Sequence, residues 1–156
     1  MKDEVVLAQF EFGRNAILKE AAEVTEEIAD IVPTGLSNSL RWQMGHVLLS
    51  TEQLLFYFSG ESMEVEEGYN ELFASGTRPA DWNKDAPSVE QLHRQLKEQM
   101  TRIRSTFEGR LDEEIEKPFQ AGALELHTIG ELLLFVLFHE SEHRGIMKVM
   151  KEELHS

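Results

Sequence analysis

The sequence predicts an all-α fold: a four-helix bundle with a long crossover between its second and third helices. Three observations lead there. Apolar residues recur at spacings of three, four or seven in four separate segments, the pattern of helices that bury one face. No segment alternates apolar and polar residues over β-branched positions, and no Asn-Gly or Asp-Gly pair offers a tight hairpin turn. The segment between residues 60 and 87 is rich in glycine, proline and acids, and is long for a connection between packed helices. A chain of 156 residues fits a single domain with a substantial core, and its 41% apolar and 28% charged residues are ordinary for a globular protein.

The first helix is expected from about Lys2 to Ile31, with Phe10, Ile17, Ala21, Val24, Ile28 and Ile31 on one stripe. Pro33 and Gly35 stop it. The second starts near Ser37 or Asn38 and runs to about Ser59, closed by Gly60. It is apolar nearly all round, as a helix buried within the fold or shared with a partner subunit would be. Ser88 and Gln91 form a capping box for the third helix, whose stripe is Val89, Leu92, Leu96, Met100, Ile103 and Phe107, ended by Gly109. An irregular stretch, 110–127, follows. Thr128 and Glu131 form a second capping box, and the fourth helix runs to about Leu154. The long middle connection lets helices two and three run parallel.

Composition removes several functions. There is no cysteine, so disulfides, thiolate ligands and a cysteine nucleophile are excluded together, and any thiol chemistry needs a thiol from outside the chain. A formal charge of −14 repels a phosphate backbone, and no basic stripe with interleaved aromatics appears, which argues against nucleic acid. The longest strongly apolar run, Leu132 to Phe138, is too short to span a bilayer, and the N-terminal residues carry acids where a signal peptide needs basic groups. A cytoplasmic protein is expected, with no membrane partner.

The fourth helix carries the chemistry. Its stripe reads Ile129, Leu132, Val136, His139, His143, Ile146 and Met150, so both histidines fall on the apolar seam one turn apart. Buried imidazoles cost free energy unless their nitrogens find partners. A lone histidine on such a stripe reads as a hydrogen-bonded core residue. Two at i,i+4 can converge on one metal ion. His46, flanked at helical spacings by Trp42, Leu49, Gln53 and Phe56, is the candidate third ligand. His93, His127 and His155 read as surface or structural residues.

His139-Glu140-Ser141-Glu142-His143 also matches H-E-x-x-H, the zinc motif of helical metalloproteases. The extended form of that motif needs glycine at 146 and histidine at 149, where this chain has Ile146 and Val149. The match is incidental, and no strand is expected to align a peptide. Glu140 lies about 100° round the helix from His139 and about 60° from His143. Three roles stay open for it: a carboxylate orienting a histidine, a catalytic base acting on water, or a solvated helix residue.

"RWQMGH" at 41–46 and "HTIGELLLFVLFHESEHRG" at 127–145, with "YNELFASGTRPADW" at 69–82 and "PSVEQL" at 87–92, resemble the DinB/YfiT-like metalloenzymes over most of the chain. The resemblance implies a four-helix bundle with one divalent metal, zinc or nickel, held by His46, His139 and His143. It further implies a small-molecule thiol and an electrophilic substrate as partners, because characterised members are bacillithiol- or mycothiol-dependent S-transferases and a mycothiol-dependent isomerase. A homodimer and a role in detoxification or stress response are implied as well. Recognition groups would lie in 60–87 and 110–127, and Trp42, Gln43 and Tyr57 are candidates to line the pocket.

Overall fold

The computed structural model describes residues 2–155. It is mainly helical, with 62% of residues in helices and one small antiparallel sheet. In chain order the elements are α1 (Asp3–Ala22), α2 (Glu26–Ala29), α3 (Leu40–Thr51), a π-helical continuation of α3 (Glu52–Tyr57), α4 (Tyr69–Phe73), a 3-10 turn (Pro79–Asp81), α5 (Val89–Phe107), β1 (Glu114–Ala121), β2 (Leu124–Thr128) and α6 (Ile129–His155). The long helices pack in pairs, α1 on α6 and α5, and α3 on α5 and α6.

Several expected elements are corrected. The single helix expected to reach Ile31 ends at Ala22, and the short α2 follows after Val24 and Thr25, with Thr25 in an extended conformation. The turn buries Val24 and brings Glu26 and Asp30 to the Arg41 guanidinium, a better use of those acids than continued helix. The second helix begins two or three residues later than expected, at Leu40, because Ser39 is the cap: its Oγ accepts from the Trp42 amide at 3.2 Å. Within the 60–87 segment lies α4, whose Tyr69, Leu72 and Phe73 are buried.

The largest correction is the stretch 110–127, expected to be irregular, most of which is a β-hairpin. β1 and β2 pair antiparallel with a register irregularity between Glu114 and Phe119, in the stretch that holds Pro118. Gly122 turns the chain with φ of 61°, so Gly122-Ala123 makes the two-residue loop that a Gly-first turn allows. The capping boxes hold unequally. Thr128 and Glu131 satisfy each other's amides at 3.0 and 3.2 Å. Ser88 caps Gln91 at 3.1 Å, but the Gln91 side chain turns away to Glu66.

Buried apolar residues form two clusters. One gathers Ile17 and Ala21 of α1, Leu40 to Leu49 of α3, Leu92 and Leu96 of α5, and Met147 and Met150 of α6. The other gathers Leu7 and Phe10, Leu55 and Phe56, Ile103 and Phe107, and Leu132 and Val136. Along each long helix the changeover falls on a buried polar side chain: Arg14, Thr51 with Glu52, Gln99, and Glu140.

Candidate metal centre

The buried line of α6 runs Val136, Glu140, Met147, Met150 and Lys151, with Ile146 39% exposed. A straight helix at 3.6 residues per turn drifts away from a strict seven-residue repeat, so the seam expected through His139, His143 and Ile146 slides by one position. Glu140, not His139, takes the core place. His139 and His143 sit at the edge of that line, half-buried, and face His46 of α3, which is buried.

The three rings converge through their Nε2 atoms. His139 Nε2 lies 3.1 Å from His143 Nε2 and 3.4 Å from His46 Nε2. One ligand nitrogen from each ring falls within a common 4.8 Å. Two nitrogens each about 2.0–2.1 Å from a tetrahedral ion stand about 3.3 Å apart, so the observed separations suit a shared ion. The outward nitrogens reinforce this. His46 Nδ1 donates to the Phe73 carbonyl at 2.8 Å, and His143 Nδ1 donates to Gln43 Oε1 at 2.6 Å. Both bonds place the proton outward and leave Nε2 with a lone pair pointing in. A proton on His139 Nε2 could serve only the two contacts that ring makes. A divalent ion would serve all three rings, and the residues present fit one.

The electrostatics agree. Burial holds all three imidazoles below the ordinary histidine range, and so favours the neutral form that ligates. For His143, burial and then the neighbouring rings of His139 and His46 push the pKa down to about 3. For His139 the carboxylates of Glu140 and Glu142 pull weakly the other way.

Local sequence explains the approach of α4. Gly45 lies against the Phe73 ring, where any Cβ would overlap it, and this closeness brings the Phe73 carbonyl to His46. Trp42, one turn before His46, stacks on its ring at 4.5 Å with planes 9° apart, and its Nε1 donates to Thr77 Oγ1 at 2.8 Å. The proposed pocket residues thus separate. Trp42 and Gln43 touch the cluster, whereas Tyr57 is 64% exposed and edge-on to Phe58. His93 reaches the Leu18 carbonyl and His127 pairs with Glu125, as expected of residues outside the site. The residues missed were Phe73, which acts through its backbone and so leaves no side-chain signal, and Arg14.

Glu140 fills none of its three expected roles directly. It is 1% exposed, so it is not a solvated helix residue. Its carboxylate accepts from Arg14 Nε at 3.1 Å, from Arg14 Nη2, and from Thr51 Oγ1 at 3.0 Å. Among the described residues it makes no hydrogen bond to a histidine, and its oxygens are committed away from the cluster.

A crystal structure of a conserved protein from Enterococcus faecalis superposes with a TM-score of 0.68 at 15% identity, covering 98% of this chain and 97% of that one, which shows a shared fold. No curated protein matches the sequence. No helix of the described residues is long and apolar enough to cross a membrane. The family model of the DinB superfamily matches residues 9–147, a span that takes in most of α1, all three converging histidines and most of α6, and the chain belongs to that superfamily.

Proposed function

We propose that the protein is a cytoplasmic metal-dependent enzyme that joins a low-molecular-weight thiol, of the bacillithiol kind, to an electrophile in detoxification or stress response. The observation that carries this reading is the convergence of three Nε2 atoms from buried His46 and half-buried His139 and His143. On this reading the long helices form a four-helix bundle, the 60–87 segment is its crossover, and one zinc or nickel ion is held per chain. Three protein ligands leave coordination positions open, and a divalent ion there lowers the pKa of a thiol or water that coordinates it. The chain's own part is to keep three imidazoles neutral and aimed. Phe73 and Gln43 fix two tautomers, and Trp42 walls the buried side of His46. The sulfur comes from the cosubstrate, since the chain has none in cysteine.

The competing hydrolase reading loses its expected base, because the Glu140 carboxylate is engaged by Arg14 and Thr51. A non-catalytic metal-stabilised module is disfavoured by the same donor set, since structural zinc sites are usually closed by four protein ligands. We extend the proposal to a homodimer, with Phe12, Leu134 and Phe138 as the exposed apolar residues it would cover. Zinc- and nickel-loaded protein should consume bacillithiol in the presence of monobromobimane faster than metal-stripped protein or His143→Ala. Ester turnover by the metal-loaded protein without any thiol, lost in His143→Ala, would replace this reading with hydrolysis.

A further inference from the structure

We infer that the buried Arg14–Glu140 pair positions His139 for the metal, in place of the hydrogen bond that this ring lacks. The inference rests on the metal reading above. His46 and His143 are each oriented by a partner on Nδ1. The Nδ1 of His139 is buried and has no partner. No hydrogen bond on Nδ1 helps to aim this ring, which leaves more of its orientation to the placing of the α6 backbone, and the next residue along that backbone is Glu140.

Glu140 is held from every side. Arg14 has no exposed surface, and each of its three nitrogens donates inward: Nε and Nη2 to the Glu140 carboxylate, Nη1 to the Leu96 carbonyl at 2.7 Å, and Nη2 also to Gln99 Oε1 at 2.9 Å. Gln99 continues to Glu52 Oε1 at 2.7 Å, and Glu52 to Arg102 at 2.6 Å. Thr51 of α3 bonds to Arg14 and Glu140 as well, so the layer ties α1, α3, its π-helical continuation, α5 and α6 together next to His139. It lies between the two apolar clusters, where leucine or methionine would pack without desolvating charge.

That placement argues against a stability device. Replacing a buried ion pair by apolar side chains of similar volume is commonly neutral or stabilising, because the desolvation cost offsets the attraction. What apolar contacts cannot supply is direction. A bidentate guanidinium–carboxylate pair fixes both the rotation of α6 about its axis and its height against α1. Rotation of α6 about its own axis swings His139 and His143 past His46. Arg14 and Glu140 are positioning residues, not catalytic ones.

The test uses the full chain loaded with cobalt(II), whose visible absorption reports ligand geometry. Metal affinity is read by competition with a chelating indicator, and melting of the metal-free proteins is followed alongside. Arg14→Met/Glu140→Leu is expected to melt no lower than wild type yet to bind cobalt and zinc about 10- to 100-fold more weakly, with an altered spectrum, as loss of outer-shell support does. Glu140→Gln, which keeps the shape and loses the charge, is expected to shift affinity in the same direction and answers the question if the double variant does not fold. Arg14→Lys, which cannot grip two carboxylate oxygens and the flanking acceptors together, should not restore it. Wild-type affinity and spectrum in the variants that fold would overturn the positioning role alone. A wild-type chain that binds neither metal would overturn the metal reading on which it rests.

Discussion

His139 and Glu140 are neighbours in the chain and opposites in circumstance. Around His139, three Nε2 atoms face one another at 3.1 and 3.4 Å, those of His46 and His143 with lone pairs turned inward, and one further nitrogen has no partner. Around Glu140, each carboxylate oxygen accepts a bond from Arg14, and every nitrogen of Arg14 donates to a buried acceptor. The first cluster is half-open and incomplete; the second is closed and complete. Buried polar groups are normally satisfied. The place where satisfaction fails in a convergent, neutral, oxygen-free donor set is where a ligand belongs, and the H-E-x-x-H spelling misleads because its glutamate belongs to the other cluster.

The comparison is broken most severely by removing a donor. His46→Ala, His139→Ala or His143→Ala should each abolish stoichiometric zinc or nickel binding, measured by titration against a chelating indicator. Tight binding retained by His143→Ala would sink the assignment. Removing one partner of the closed side should cost stability in addition to weakening metal binding. Arg14→Ala leaves a buried carboxylate without its counter-charge and should lower the unfolding free energy by about 3–5 kcal/mol, read by urea denaturation of the metal-free protein.

A smaller effect is expected at the support of the first cluster. Gly45→Ala drives a methyl group into the Phe73 ring and should cost about 1–3 kcal/mol, with weaker metal binding as the Phe73 carbonyl leaves His46. Gln43→Leu removes the acceptor on His143 Nδ1 and should weaken metal binding about 10-fold or more with little change in melting.

The smallest expected effect is the pH dependence of the metal-free protein. The three histidines titrate lower in the folded chain than in the unfolded one, where the ordinary value is about 6.5. Below that value the unfolded chain binds protons that the folded chain refuses. Stability should fall as pH drops from about 6.5 toward the folded value of about 3 for His143. Metal-free wild type should show this slope, and the His46→Ala/His139→Ala/His143→Ala triple variant should show less of it. Equal slopes would contradict the buried, neutral imidazoles.

How much was legible follows from how local each signal is. The caps at Ser88 and Thr128, the long helices and the i,i+4 histidine pair lie within a turn or two of sequence, and periodicity alone points to His46 as a buried partner. The β-hairpin was missed because Pro118 and the register irregularity blur its alternation, and because Gly122-Ala123 is a weaker turn signal than the pairs sought. The break at Val24-Thr25 depends on Arg41, eleven residues or more from the acids it receives. The burial of Glu140 depends on Arg14, 126 residues away, so nothing near Glu140 announces it. The one-position slide of the α6 seam was open to inference from helix geometry, and it decides that the histidines are half-open while Glu140 is not.

The central claim is that the three converging histidines hold an ion. Mass spectrometry of the purified, untagged protein under native conditions tests it most directly. The account predicts about one zinc or nickel per chain, restored by either metal after stripping. A chain that emerges metal-free and takes up neither would mean that His139 Nε2 shares a proton with its neighbours in an ordinary polar cluster, and the enzymatic reading would fall with the metal.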